Sequence, residues 1–139
     1  MKSKDLRIGN YIEVKCIAKE VGFDDFDVQE CNLQNLISIS NGNKDFLFKP
    51  IPLTEEWLLK FGFKKFCNEF YSNKIIGESK SEYRIIFRIN NNISDCLIKE
   101  KVNDREHYNT VLPRFIREVH QLQNLYFALT GEELTIKTK

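Results

Sequence analysis

The segment from Glu82 to Lys99 constrains the fold most, because it reads EYRIIFRI, then Asn90-Asn91-Asn92, then ISDCLIK. Tyr, Ile and Phe suit a pleated, half-buried surface, and asparagines accept the backbone angles of a tight turn. Two such runs around a turn predict an antiparallel hairpin. With Ile89 opposite Ile93, Ile85 would face Leu97 and Arg84 would face Ile98. Side-chain alternation then gives Tyr83, Ile85, Phe87 and Ile89 one face and Arg84 and Arg88 the other. A sheet of this kind needs a second layer.

Helices supply it. From Val119 to Leu129 the apolar residues Val119, Leu122, Leu125, Tyr126 and Leu129 recur at spacings of three and four, and Thr130-Gly131 follows as a stop. A shorter helix is predicted after Thr54, which can cap its start, with Glu55 and Glu56 placed where the helix dipole favours negative charge. Trp57, Leu58 and Phe61 share a face as core anchors, and Gly62 is a natural terminator. Phe63 to Tyr71 reads as one strand, Val102 to Asn109 as a polar loop, and Glu132 to Lys139 as a fraying tail or a last strand through Leu134 and Ile136.

The first fifty residues read as β-rich. Leu6 to Lys15 is strand-like around Gly9-Asn10. Leu36 to Ser40 alternates as a strand does, and Asn41-Gly42-Asn43 before Phe46-Leu47-Phe48 signals a hairpin. Short strands this close together suggest a small SH3-like barrel. Pro50-Ile51-Pro52 marks a joint. The fold class is therefore α+β, with a barrel-like half over 1–50 and an α+β half, holding the hairpin and the C-terminal helix, over 51–139.

The side-chain inventory excludes several functions. A net charge of +1 gives no global support to nucleic-acid binding, which rests on phosphate neutralisation. The four cysteines, Cys16, Cys31, Cys67 and Cys96, lack the close pairing of zinc ligands, so no metal and no cofactor is expected. The N-terminal run MKSKDL lacks the apolar stretch of a signal peptide, and no run reaches the length of a membrane span. A cytoplasmic protein with reduced thiols is expected, with no membrane partner. No glycine loop for phosphate, no G-x-S-x-G and no H-E-x-x-H occurs. No catalytic residue is assigned.

Three blocks, Arg7-Ile8-Gly9-Asn10, PIPLTEEWLLKFGF from Pro50 and HQLQNLYFALTGEEL from His120, resemble a family of short uncharacterised proteins from gut bacterial genomes, prophages and other mobile elements. The resemblance implies an accessory protein of a phage or mobile element and carries little chemistry.

Two groups of side chains are candidates for binding. His120, Gln121, Gln123 and Asn124, with Tyr126 beyond them, could form a polar contact surface on the last helix, although amides near a helix start commonly bond to nearby backbone. His120 could act as a base, but needs a partner that the sequence does not place. Arg84 and Arg88, with Lys80, Lys99 and Lys101, could form a basic sheet face. Alternation sets the neighbouring aromatics opposite these arginines, and Glu78, Glu82 and Glu100 dilute the charge. Asp24, Asp25 and Asp27 lack the spacing of a calcium loop. The expected function is a non-enzymatic module binding a host or element-encoded protein. Alternatives are a protein that sequesters a small nucleotide signal in anti-defence, and a nucleic-acid-binding protein. Self-association is left open.

Overall fold

The computed structural model describes residues 1–17, 26–72, 75–76, 81–90, 92–102, 105–111 and 116–137. It is an α+β protein of two antiparallel sheets and helices, one helix lying at the C-terminal end. The chain divides into two compact units: Met1–Pro52 with Glu118–Leu125, and Leu53–Arg117 with Tyr126–Lys139. No helix among the described residues is long and apolar enough to cross a membrane.

In the first unit, β1 (Tyr11–Cys16) lies between β2 (Asp27–Glu30) and β3 (Phe46–Lys49), antiparallel to both. Ile12 and Val14 bury one side of β1 and join Leu6 and Cys31 in a core, against which Leu36, Ile39 and Phe48 pack. The described strands form an open sheet in place of the SH3-like barrel expected. The reason is local: Leu33–Ser40 is a helix, α1, where Leu36 to Ser40 reads as a strand. Asn32 caps it, its side chain accepting from the Asn35 amide at 2.9 Å while Asn35 returns the bond at 3.0 Å. These reciprocal bonds satisfy donors that a helix start leaves open.

The Asn41-Gly42-Asn43 segment ends this helix and does not turn a hairpin. The Asn43 amide reaches the Ser38 carbonyl at 2.9 Å and the Gly42 amide reaches Ile39 at 3.3 Å. Gly42 adopts φ +63°, the left-handed conformation that such a helix end requires. β3 then pairs with β1. Asp27 lies exposed in β2, while the expectations for Asp24 and Asp25 fall outside the described residues.

In the second unit, α2 (Glu55–Lys60) begins at Thr54, whose hydroxyl accepts from the Trp57 amide at 3.4 Å, and ends before Gly62 at φ +85°. Trp57 and Phe61 are buried with ring centroids 5.5 Å apart. The sheet runs β4 (Lys64–Phe66), β5 (Glu69–Tyr71), β7 (Ser81–Asn90), β8 (Asn92–Val102), β9 (Arg105–Val111), with β6 (Ile75–Ile76) also on β7. Two expectations change here. Phe63 to Tyr71 is a hairpin, turned at Cys67-Asn68 with Cys67 at φ +53°, and the supposed loop after Val102 contains β9.

The β7–β8 hairpin forms, with Ile89 opposite Ile93, but Arg84 faces Lys99 and Ile85 faces Ile98. An irregularity beside Arg88 gives β8 one extra residue, Ser94, and shifts the remaining register by one. Ile85 and Phe87 are fully buried and Arg84 and Arg88 exposed, as alternation predicts. Leu134 is buried without forming a strand, and the Lys137 amide bonds to the Lys60 carbonyl at 2.8 Å. As far as Lys137 the tail is docked, not frayed.

Candidate functional site

The last helix, α3 (Val119–Thr130), carries the first candidate group. Gln121 turns back on the helix start, its Oε1 accepting from the Glu118 amide at 3.1 Å. Asn124 Oδ1 accepts from Arg7 Nε at 2.8 Å and from Asn10 Nδ2 at 3.1 Å, while its own Nδ2 donates to the Asp5 carbonyl at 3.0 Å. Arg7 Nη2 donates to the Gln123 carbonyl at 3.3 Å. The amide row fastens the segment before β1 to the helix.

Gln123, the fourth polar side chain of this row, is turned wholly inward. It is fully buried, accepts from the Tyr11 amide at 2.8 Å and donates to the Gly9 carbonyl at 3.1 Å. A glutamine beside apolar Leu122 gives no sequence signal of burial. Asn10 is equally buried, and its Oδ1 accepts from the Arg7 amide at 2.7 Å. These bonds explain why the Arg7–Asn10 block and the His120 block belong to one device.

His120 is buried, with Nε2 3.4 Å from Glu118 and no hydrogen-bond partner for Nδ1 among the described residues. Burial pushes its imidazole below the ordinary value of 6.5, against the upward pull of Glu118 and Asp5. The shift favours the neutral imidazole in the folded protein. Stability from this group is complete above about pH 6.5 and falls as the pH drops below it, because the unfolded chain takes up the proton first. The decline ends once the pH passes the folded value. Urea midpoints measured from pH 8 to 5 should show this slope, and His120→Gln should remove it; an unchanged slope would contradict it. Glu69 acts in a separate, more acidic window. Hydrogen bonds from Tyr71 and then Arg88 hold its carboxyl low, so its contribution is present above the ordinary carboxylate range and is lost as pH falls through the folded value.

Tyr126 belongs to the second unit, half-buried, with its phenol raised by burial and by Glu132. Its carbonyl accepts from the Thr130 hydroxyl at 2.8 Å.

The second candidate group lies on the C-terminal sheet. Arg84 is exposed on β7, opposite Lys99 on β8, with Lys101 two residues further along. With Glu106 of β9 they border a recess of about 180 Å³. Lys99 Nζ and Glu106 Oε1 are 2.8 Å apart. Glu106 escapes sequence reading because its segment is polar, although Tyr108, Thr110 and Val111 favour strands. Arg88 sits towards the hairpin end and pairs with Glu69 at 2.7 Å, while Tyr71 also bonds Glu69. Ile86 and Leu97, opposite each other between these charged places, are buried.

Among the described residues no group of three or more His, Cys, Asp or Glu side chains is placed to hold a metal ion. Cys16, Cys31 and Cys67 are free thiols, and burial raises the pKa of Cys31. His107 lies exposed in β9. Comparison with protein-family models, with curated proteins and with solved structures gives no match.

Proposed function

We propose that this chain is a non-enzymatic binding module that docks a protein partner through the charged face around Arg84. The observation that carries this reading is the grouping of Arg84, Lys99, Lys101 and Glu106 about one recess. The polar atoms of Gln121, Gln123 and Asn124 engage in internal bonds, and His120 is shut away from solvent. These four side chains serve the fold better than they would serve a substrate.

The resemblance to proteins of gut bacteria, prophages and mobile elements supports an accessory role, with a partner encoded by the host or the element. Free thiols support a cytoplasmic setting. Nucleic-acid binding draws less support at the Arg84 face, since Phe87 beside the two arginines is buried and Glu69 and Glu106 lie among the cations. A stacking platform needs exposed aromatics beside positive charge.

A tagged protein should retain a partner from a native-host lysate, and Arg84→Glu should reduce that capture at least tenfold while its circular dichroism is unchanged. Equal capture by both forms, or steady turnover of any substrate by the purified protein, would contradict the reading.

A further inference from the structure

The charges around Arg84 are arranged in a way that packing alone does not favour. Arg84 and Lys99 are directly opposite across an antiparallel pair, where like charges repel. Lys101 follows Lys99 by two residues, about 7 Å along the strand. Along its row Lys101 has Glu82 on one side and Glu106 on the other. In the described register Arg84 faces Lys99, a second cation, and Tyr108 of β9 follows in the same row. Glu106 reaches diagonally to Lys99, with 2.8 Å between its Oε1 and the Lys99 ammonium nitrogen. Lys99 is held with its side chain 23% exposed, which strengthens its field relative to a freely solvated ammonium.

We propose that this recess binds a phosphate monoester, with Arg84 as the forked donor and the Lys99 and Lys101 ammonium groups flanking it. A guanidinium matches two phosphate oxygens at once, and lysine contributes as a point charge. A recess of about 180 Å³ is comparable to the cavity of about 150 Å³ that admits a benzene-sized guest, so a phosphate group fits. The arriving dianion relieves the Arg84–Lys99 repulsion. Glu106 acts against binding, because it competes for Lys99 and repels the anion. This inference names the chemistry of the face on which the binding reading rests, and leaves its source, free nucleotide or phosphorylated protein, to experiment.

The test is titration of the full ¹⁵N-labelled chain with inorganic phosphate, adenosine monophosphate and a phosphoserine peptide. Adenosine and the unphosphorylated peptide serve as controls. Saturable shifts at the amides of Arg84, Lys99 and Lys101 are expected with the phosphate probes alone, and binding weakens as salt rises. Arg84→Gln should weaken affinity at least tenfold, and Glu106→Gln should tighten it severalfold. Tighter binding of the nucleotide supports a small-molecule source, and tighter binding of the phosphopeptide supports a protein source. Absence of saturable shifts with every phosphate probe, or undiminished affinity in folded Arg84→Gln, would overturn the inference. Phosphate binding without protein capture would overturn the protein-partner reading and leave this inference standing. Protein capture through Arg84 without phosphate binding would do the reverse.

Discussion

Replacing Phe87 by alanine is expected to lower the unfolding free energy by roughly 3–5 kcal/mol, the range for removing a buried phenyl group. Phe87 is fully buried at the centre of β7. It faces the equally buried Phe70 across β5, and its ring lies 5.8 Å from that of Phe63. Alanine would leave a void lined by two rings, and a strand flanked on both sides cannot collapse to fill it. Phe66 provides the contrast: it is 71% exposed on the edge strand β4, so Phe66→Ala should change stability by no more than about 0.5 kcal/mol. Urea denaturation of the three proteins measures both values. Equal effects at the two positions would contradict the burial described for this sheet.

Gln123→Leu is expected to destabilise the protein by about 2–4 kcal/mol even though leucine preserves size and favours a helix. The loss arises from two main-chain groups, the Tyr11 amide and the Gly9 carbonyl, that the glutamine satisfies. A buried donor or acceptor left without its partner costs about 1–3 kcal/mol. The site is fully enclosed, which hinders rescue by water. A shift of the urea midpoint at constant slope identifies the effect as native-state stability. A neutral or stabilising outcome would show that the glutamine is dispensable to the fold.

The parts of the fold legible in the sequence are those whose signals are local. Thr54 with Glu55, Glu56 and Gly62 bounds α2, and the apolar spacing from Val119 locates α3. The β7–β8 hairpin announces itself through its β-forming residues. Its register is less legible, since the extra residue at Ser94 has no composition that marks it, and a slip of one residue exchanges every partner. The α1 segment misleads because Ile37-Ser38-Ile39-Ser40 alternates like a strand, while the decisive signal is an Asn32–Asn35 cap several residues earlier. β9 is hidden for a different reason. It is an edge strand with exposed Arg105, Glu106 and His107, held by pairing to β8.

The candidate sites follow the same division. Arg84 and Arg88 are legible as outward residues because alternation sets them against Ile85 and Phe87. Their different fates are not legible: Arg88 pairs with Glu69 on a neighbouring strand, while Arg84 joins Lys99, Lys101 and Glu106. The polar row of α3 looks the same in sequence whether it faces solvent or the chain itself. Only the return of Asp5, Arg7, Gly9, Asn10 and Tyr11 to that row decides between contact surface and fastening.

Hydrogen exchange at the Tyr11 amide tests that assignment at a single atom. A Gln123 side chain that closes this amide inside the fold should keep its proton protected to the level of the Ile12 and Val14 core, with the protection lost in folded Gln123→Leu. Rapid exchange at Tyr11 in the wild-type chain would mean that the helix row is open to solvent and available to a ligand, and would contradict its role as an internal fastening.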